Sequence, residues 1–194
     1  MSWGSINQYL VKEHVGMFKA ANNFDIFDLE SGVEVMQCRE PNLGMFTKML
    51  RFTDYKRMTP FSIEIKDSSG NLVCEVSRGV SIFLSTVKVH DGDGNYIGGF
   101  KQKFFSLGGA FSVLDEDGNQ VCDLKGKWTG WDFKFLAGTN VLARVTKKWT
   151  GLGKELFTSA DNYVLDISES VPDDGAVRKL IFAAVMCIDM VLKE

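Results

Sequence analysis

The segment from about Ala176 to Leu192 reads A-V-R-K-L-I-F-A-A-V-M-C-I-D-M-V-L, and Leu180 to Ile188 is unbroken apolar sequence. A helix with that composition is apolar on every face, so it has to be enclosed by protein or by lipid. A lipid span needs about 17–25 apolar residues. This run is shorter, with Arg178 and Lys179 before it and Asp189 inside it. The segment therefore predicts a helix, about 174–192, wrapped by the rest of the chain. Pro172-Asp173-Asp174 reads as the loop and acidic first turn that start it, acids being favoured there by the helix dipole.

The rest of the chain carries a repeat that can supply the wrapping. Ile63–Val76 contains Asp67-Ser-Ser-Gly70-Asn71. Val87–Gly98 contains Asp91-Gly-Asp-Gly94-Asn95, and Phe111–Leu124 contains Asp115-Glu-Asp-Gly118-Asn119. Phe133–Val145 is a copy with a shortened loop at Gly138-Thr-Asn140, and Phe24–Val35 is an imperfect early copy. Each has alternating apolar residues, a loop of turn formers, then more alternation, which is the pattern of a β-hairpin. Five hairpins give about ten strands with one dry and one wet face. Regular spacing favours a sandwich or a barrel. A closed antiparallel barrel fits best, because closure removes sheet edges and surrounds the apolar helix. The segment Asn42–Thr59, between Pro41 and Pro60, breaks the repeat and reads as a helical or irregular excursion.

At 194 residues and 45% hydrophobic, the chain has material for a substantial core and is expected to form one domain over 1–194. The mixed, near-neutral charge gives no sign of a nucleic-acid partner. Residues 101–154 nevertheless carry nine Lys/Arg against five Asp/Glu, and residues 155–194 three against eight. The four cysteines form no C-x-x-C pair and read as buried free thiols of a reducing compartment. The first residues show no basic region followed by an apolar one. Together these predict a cytoplasmic protein.

Catalytic signals are sparse. His14 and His90 lie in unrelated parts of the repeat, and there is no nucleophile elbow, P-loop or dinucleotide fingerprint. The chain is expected not to be an enzyme. The Asp91 and Asp115 loops resemble the start of calcium loops, but their twelfth positions are Gln102 and Gly126, where a bidentate acid is required. They read as hairpin turns. The densest aromatic and basic zone combines Trp128, Trp131, Trp149, Phe133 and Phe135 with Lys125, Lys127, Lys134, Lys147 and Lys148. One reading makes it a phospholipid-headgroup face; the other makes it core aromatics alternating with solvated lysines. Lys125, Lys127, Lys147, Lys148, Trp128 and Trp131 are the candidate lipid contacts. Strand alternation puts Lys125 and Lys127 on one face and splits Lys147 from Lys148.

Lys147-Lys148-Trp149-Thr150-Gly151, followed by Glu155-Leu-Phe157-Thr-Ser-Ala160-Asp161-Asn162-Tyr163 and by the late helix ending Ile188-Asp189-Met190, resembles the phospholipid scramblase family. The same residues resemble the LURP-one-related proteins of the Tubby C-terminal-like superfamily. The resemblance covers about residues 20–194. It implies a closed barrel of about twelve strands around a central C-terminal helix, and a role at membrane phospholipid. It also implies a calcium segment, whose candidate metal ligands here are Asp161, Asn162 and Asp166. Ser159 stands where that pattern has its first acid, and Ser170 stands at position twelve. No cofactor beyond that calcium is expected.

The functional expectation is a scramblase-like, non-enzymatic protein acting at anionic phospholipid, peripheral at a membrane surface. Three alternatives stay open: a true scramblase anchored by its final helix, a soluble regulatory or scaffold barrel with a protein partner, and a carrier of a small apolar ligand.

Overall fold

A computed structural model describes residues 2–13, 23–41, 59–80, 86–102, 110–127, 132–151, 154–157 and 162–192. The expected excursion at Asn42–Thr59 falls almost wholly outside these residues. Fourteen strands are described: β1 Gln8–Glu13, β2 Phe24–Asp28, β3 Glu34–Arg39, β4 Phe61–Asp67, β5 Leu72–Arg78, β6 Thr86–Asp91 and β7 Tyr96–Gln102. They continue with β8 Ala110–Leu114, β9 Gln120–Lys127, β10 Asp132–Ala137, β11 Asn140–Thr146, β12 Lys148–Gly151, β13 Lys154–Phe157 and β14 Asn162–Ile167. The helix α1 spans Ala176–Leu192. Twelve strands close an antiparallel barrel in the order β1-β14-β11-β10-β9-β8-β7-β6-β5-β4-β3-β2, and β12 and β13 form a separate two-stranded sheet.

All five sequence copies are hairpins: β2–β3, β4–β5, β6–β7, β8–β9 and β10–β11. Because successive strands run antiparallel, all five turns lie at one end of the barrel, called here the turn end. Three of the turns, β4–β5, β6–β7 and β8–β9, are built alike. The Asp67 carboxylate accepts from the backbone N–H of Ser69 and of Asn71, both at 2.9 Å, and from the Asn71 side chain at 3.0 Å. Asp91 and Asp115 hold the corresponding groups of Asp93 and Asn95, and of Asp117 and Asn119. Gly70, Gly94 and Gly118 sit at φ of 87°, 84° and 82°, where a side chain is disfavoured. These carboxylates are therefore turn formers, as their loop composition predicts.

Every hairpin also carries a register shift just before its turn, at Ile26/Phe27, Ile65/Lys66, Val89/His90, Val113/Leu114 and Phe135/Leu136. The extra residue on each returning strand is apolar: Val35, Val73, Ile97, Val121 and Leu142. Plain alternation would send these side chains to water. The bulge gives Val35, Val73 and Ile97 buried positions beside the inward-facing Met36, Cys74 and Gly98, and it adds twist that helps a sheet close.

The barrel interior is filled by α1. Leu180 through Ile188 are all buried and pack against inward residues of the wall, including Ile26, Ile63, Val76, Phe133 and Leu165. The expected acidic first turn is corrected in one respect. Asp173 and Asp174 precede the helix, and the carbonyl of Gly175 accepts from the N–H of Arg178 and of Lys179. Among the described residues no helix is long and apolar enough to cross a membrane.

Candidate functional site

Two regions concentrate polar chemistry: the plug of the turn end, and a basic stretch of the outer wall.

The plug is organised by Arg178, whose side chain is 0% exposed. Its Nη1 donates to the Ile6 carbonyl at 2.7 Å and to the Tyr9 hydroxyl at 3.3 Å. Its Nη2 donates to Asn7 Oδ1 and to the Val171 carbonyl, both at 3.0 Å, and its Nε to the Pro172 carbonyl at 3.1 Å. Asp173 lies 3.7 Å away at the surface. A buried guanidinium is tolerated only when its donors are satisfied, and these five bonds tie three chain segments together. Tyr9, which also donates to the Ile6 carbonyl, is edge-on to Phe182 at 4.9 Å, and Trp3 is edge-on to the same ring at 5.9 Å. Burial pushes the Tyr9 hydroxyl up to about 12. The sequence reading used Arg178 only as a charge that shortens the apolar run. A signal was present: a cation in the first helical turn opposes the helix dipole, so a partner set was to be expected.

The basic wall is set by strand order. Because β9, β10 and β11 are neighbours, Lys125 lies directly opposite Lys134, and Lys134 opposite Arg144. All three are exposed. Directly opposed like charges are unfavourable, and carboxylates moderate the row. Asp123 lies 3.5 Å from Lys125. Asp132 takes a two-pronged contact from Arg144 at 3.0 and 2.9 Å, which holds the Asp132 carboxyl below its usual range. Asp166 follows Arg144 in the row.

Of the candidate lipid contacts, Lys127 ends β9 opposite Asp132. Lys147 lies at the junction where the chain leaves β11 for β12, and Lys148 opens β12. The alternation argument for that pair assumed a continuous strand and does not carry across the change of sheet. Trp128 and Trp131 lie outside the described residues. Arg144 was missed because nothing local marks it; only pairing brings it to Lys134.

Of the calcium candidates, Asp161 lies outside the described residues. Asn162 and Asp166 begin and nearly end β14. Four residues of extended chain separate their Cα atoms by about 13 Å, so the strand spreads them. Asp166 Oδ1 accepts from Gln8 Nε2 at 3.4 Å.

Cys38, Cys74, Cys122 and Cys187 are all free and buried. Burial pushes the Cys74 and Cys122 thiols up to about 12 and also raises those of Cys38 and Cys187. His90 packs against Tyr96 with ring centres 5.7 Å apart.

A closed twelve-stranded antiparallel barrel enclosing one C-terminal helix defines the class: a helix-filled β-barrel. A protein of Arabidopsis thaliana with a solved X-ray structure has this fold. The match covers 95% of this chain and 91% of that one, at 17% identity and a TM-score of 0.50. The particular family follows from the sequence: the scramblase family model matches residues 6–194, and the chain belongs to that family. The chain is also similar to "Altered inheritance rate of mitochondria protein 25" of Saccharomyces cerevisiae, with 24% identity over 198 residues. That match covers 89% of this chain, and the chain spans about 60% of the yeast protein's length.

Proposed function

We propose that this chain is a non-enzymatic, scramblase-like barrel that contacts anionic phospholipid at a membrane surface, peripherally and from the cytoplasmic side. The observation that carries this is the Lys125–Lys134–Arg144 row on the exposed wall, with Lys127 at the end of the same sheet segment. Family membership supports a lipid-related role. Each basic side chain at an anionic surface contributes about 1 kcal/mol, so the contact is transient and salt-sensitive. The buried state of Leu180–Ile188 favours a core helix over a bilayer anchor. A gap beside the helix, among Val87, Phe100, Phe111 and Ala184, is about 10 Å³, about the least that one water needs, so this gap has no room for an apolar ligand. The calcium candidates Asp161, Asn162 and Asp166 have no part in this reading.

Co-sedimentation with phosphatidylcholine vesicles, with and without phosphatidylserine, tests it. Binding should require phosphatidylserine, weaken with salt because screening sets in beyond about 8 Å, and fall sharply when Lys125, Lys134 and Arg144 are changed together to Gln. No binding at low salt would refute the lipid reading and favour a scaffold barrel with a protein partner.

A further inference from the structure

The exposed charges of the described residues are segregated along the barrel axis. Seven exposed acids lie at the turn end: Glu30, Asp93, Glu116 and Asp117 in hairpin turns, and Glu169, Asp173 and Asp174 in the segment before α1; at the remote end the Asp132 side chain is 44% exposed and is held by Arg144. The exposed cations are Lys12, Lys88, Lys101, Lys125, Lys134 and Arg144. Each lies within three residues of the strand terminus remote from the turns. Their strands, β1, β11, β10, β9, β7 and β6, fall within a run of eight neighbouring strands that also includes β14 and β8. The remaining strands, β2 to β5, carry no exposed charge. Their half-buried charges are paired internally, as in Arg39–Asp25 and Lys66–Glu64, both at 2.6 Å.

We propose that the chain meets an anionic phospholipid bilayer in one orientation, with this basic arc against the headgroups and the acidic turn end towards water. The proposal rests on the phospholipid reading above and extends its surface to Lys12, Lys88 and Lys101, which lie outside the β9–β11 row. The physical basis is the negative surface potential of an anionic leaflet, which attracts cations and repels acids within about a Debye length. Among the described residues most exposed anions lie at one end and the exposed cations lie towards the other, and that separation puts a torque on the barrel near such a surface. The turn end cannot approach without bringing those acids into that field, whereas the arc approaches with cations on six strands. Lys12 lies over the Phe27 ring at 4.6 Å, which braces its long side chain on the wall.

The experiment combines binding with orientation. Single cysteines introduced at Thr86, in the arc, and at Val33, beside a turn, are labelled with a fluorophore; both positions are exposed, and the native cysteines are buried. Phosphatidylserine-containing vesicles with a nitroxide on the lipid headgroup should quench the probe of Thr86→Cys and leave that of Val33→Cys unquenched. In parallel, Lys88→Gln with Lys101→Gln should weaken partitioning about tenfold or more with an unchanged circular dichroism spectrum. Binding with equal or reversed quenching would overturn the orientation and leave the phospholipid reading standing. Binding unaffected by the Lys88/Lys101 pair would overturn the extended arc. Failure to bind phosphatidylserine vesicles at low salt would overturn both readings.

Discussion

Replacing Arg178 by Met should be among the most damaging single changes in this protein. Met keeps much of the aliphatic bulk but removes the donors that serve the carbonyls of Ile6, Val171 and Pro172, the Asn7 side chain and the Tyr9 hydroxyl. The Ile6 carbonyl retains the Tyr9 hydroxyl, and that of Pro172 retains a long contact from Gly175 at 3.4 Å. The Val171 carbonyl loses its donor within a buried setting, and Asn7 and Pro172 are partly orphaned. A buried polar group left without a partner costs about 1–3 kcal/mol, so two to three such groups give a loss of about 3–5 kcal/mol. For a chain of this size, 1 kcal/mol lowers Tm by about 2–4 °C, so a fall of about 6–20 °C is expected. The sign is diagnostic, because removing a cation from a helix N-terminus is by itself favourable. Urea and thermal unfolding followed by tryptophan fluorescence and circular dichroism measure the change. Arg178→Lys should recover only part of it, since one ammonium cannot serve groups arranged around a planar fork. A loss under 1 kcal/mol for Arg178→Met would refute the claim that this side chain holds the plug together.

Gly126 lies under Phe133, and a Cβ there would collide with that ring and with the Asp132 carbonyl; Gly126→Ala should cost about 1–3 kcal/mol in chemical denaturation. Ala184→Asp places a charge beside the buried helix core and should cost several kcal/mol; little loss would mean that the helix is not enclosed. The raised thiols and Tyr9 hydroxyl are stabilised in their protonated forms. Their contribution should be complete below about pH 8.5, the unfolded thiol value, and drain away as pH rises towards about 12; a flat stability profile over that range would contradict this. In the acid direction, side-chain hydrogen bonds from Asn71 and Asn95 hold Asp67 and Asp91 below their usual range. Their contribution should be present above about pH 4 and lost below it, and Asp67→Asn should flatten that acid limb.

Much of the barrel is legible without coordinates. Period-two alternation and Asp/Gly/Asn loops are local properties, so the five hairpins and the closing helix follow directly from residues such as Asp67, Gly70 and Leu180. The unbroken apolar run at Leu180–Ile188 even demands an enclosure, since no face of that helix can be left in water. Three features are not local. The pairing of β1 with β14, and of β11 with β14 across the β12–β13 sheet, joins residues far apart in sequence, and it is these contacts that close the barrel. The bulges at Val35, Val73 and Ile97 reverse the facing that alternation assigns, because burying an apolar residue at the barrel rim outweighs the broken ladder. The candidate site divides the same way. The sequence supplies a basic middle third, but composition has no direction. Only the winding of the chain puts Lys134 beside Arg144, buries Arg178, and, among the described residues, sends most exposed acids and the exposed cations to opposite parts of the barrel. Charges interact through space, so their arrangement is decided by strand order rather than by spacing along the chain.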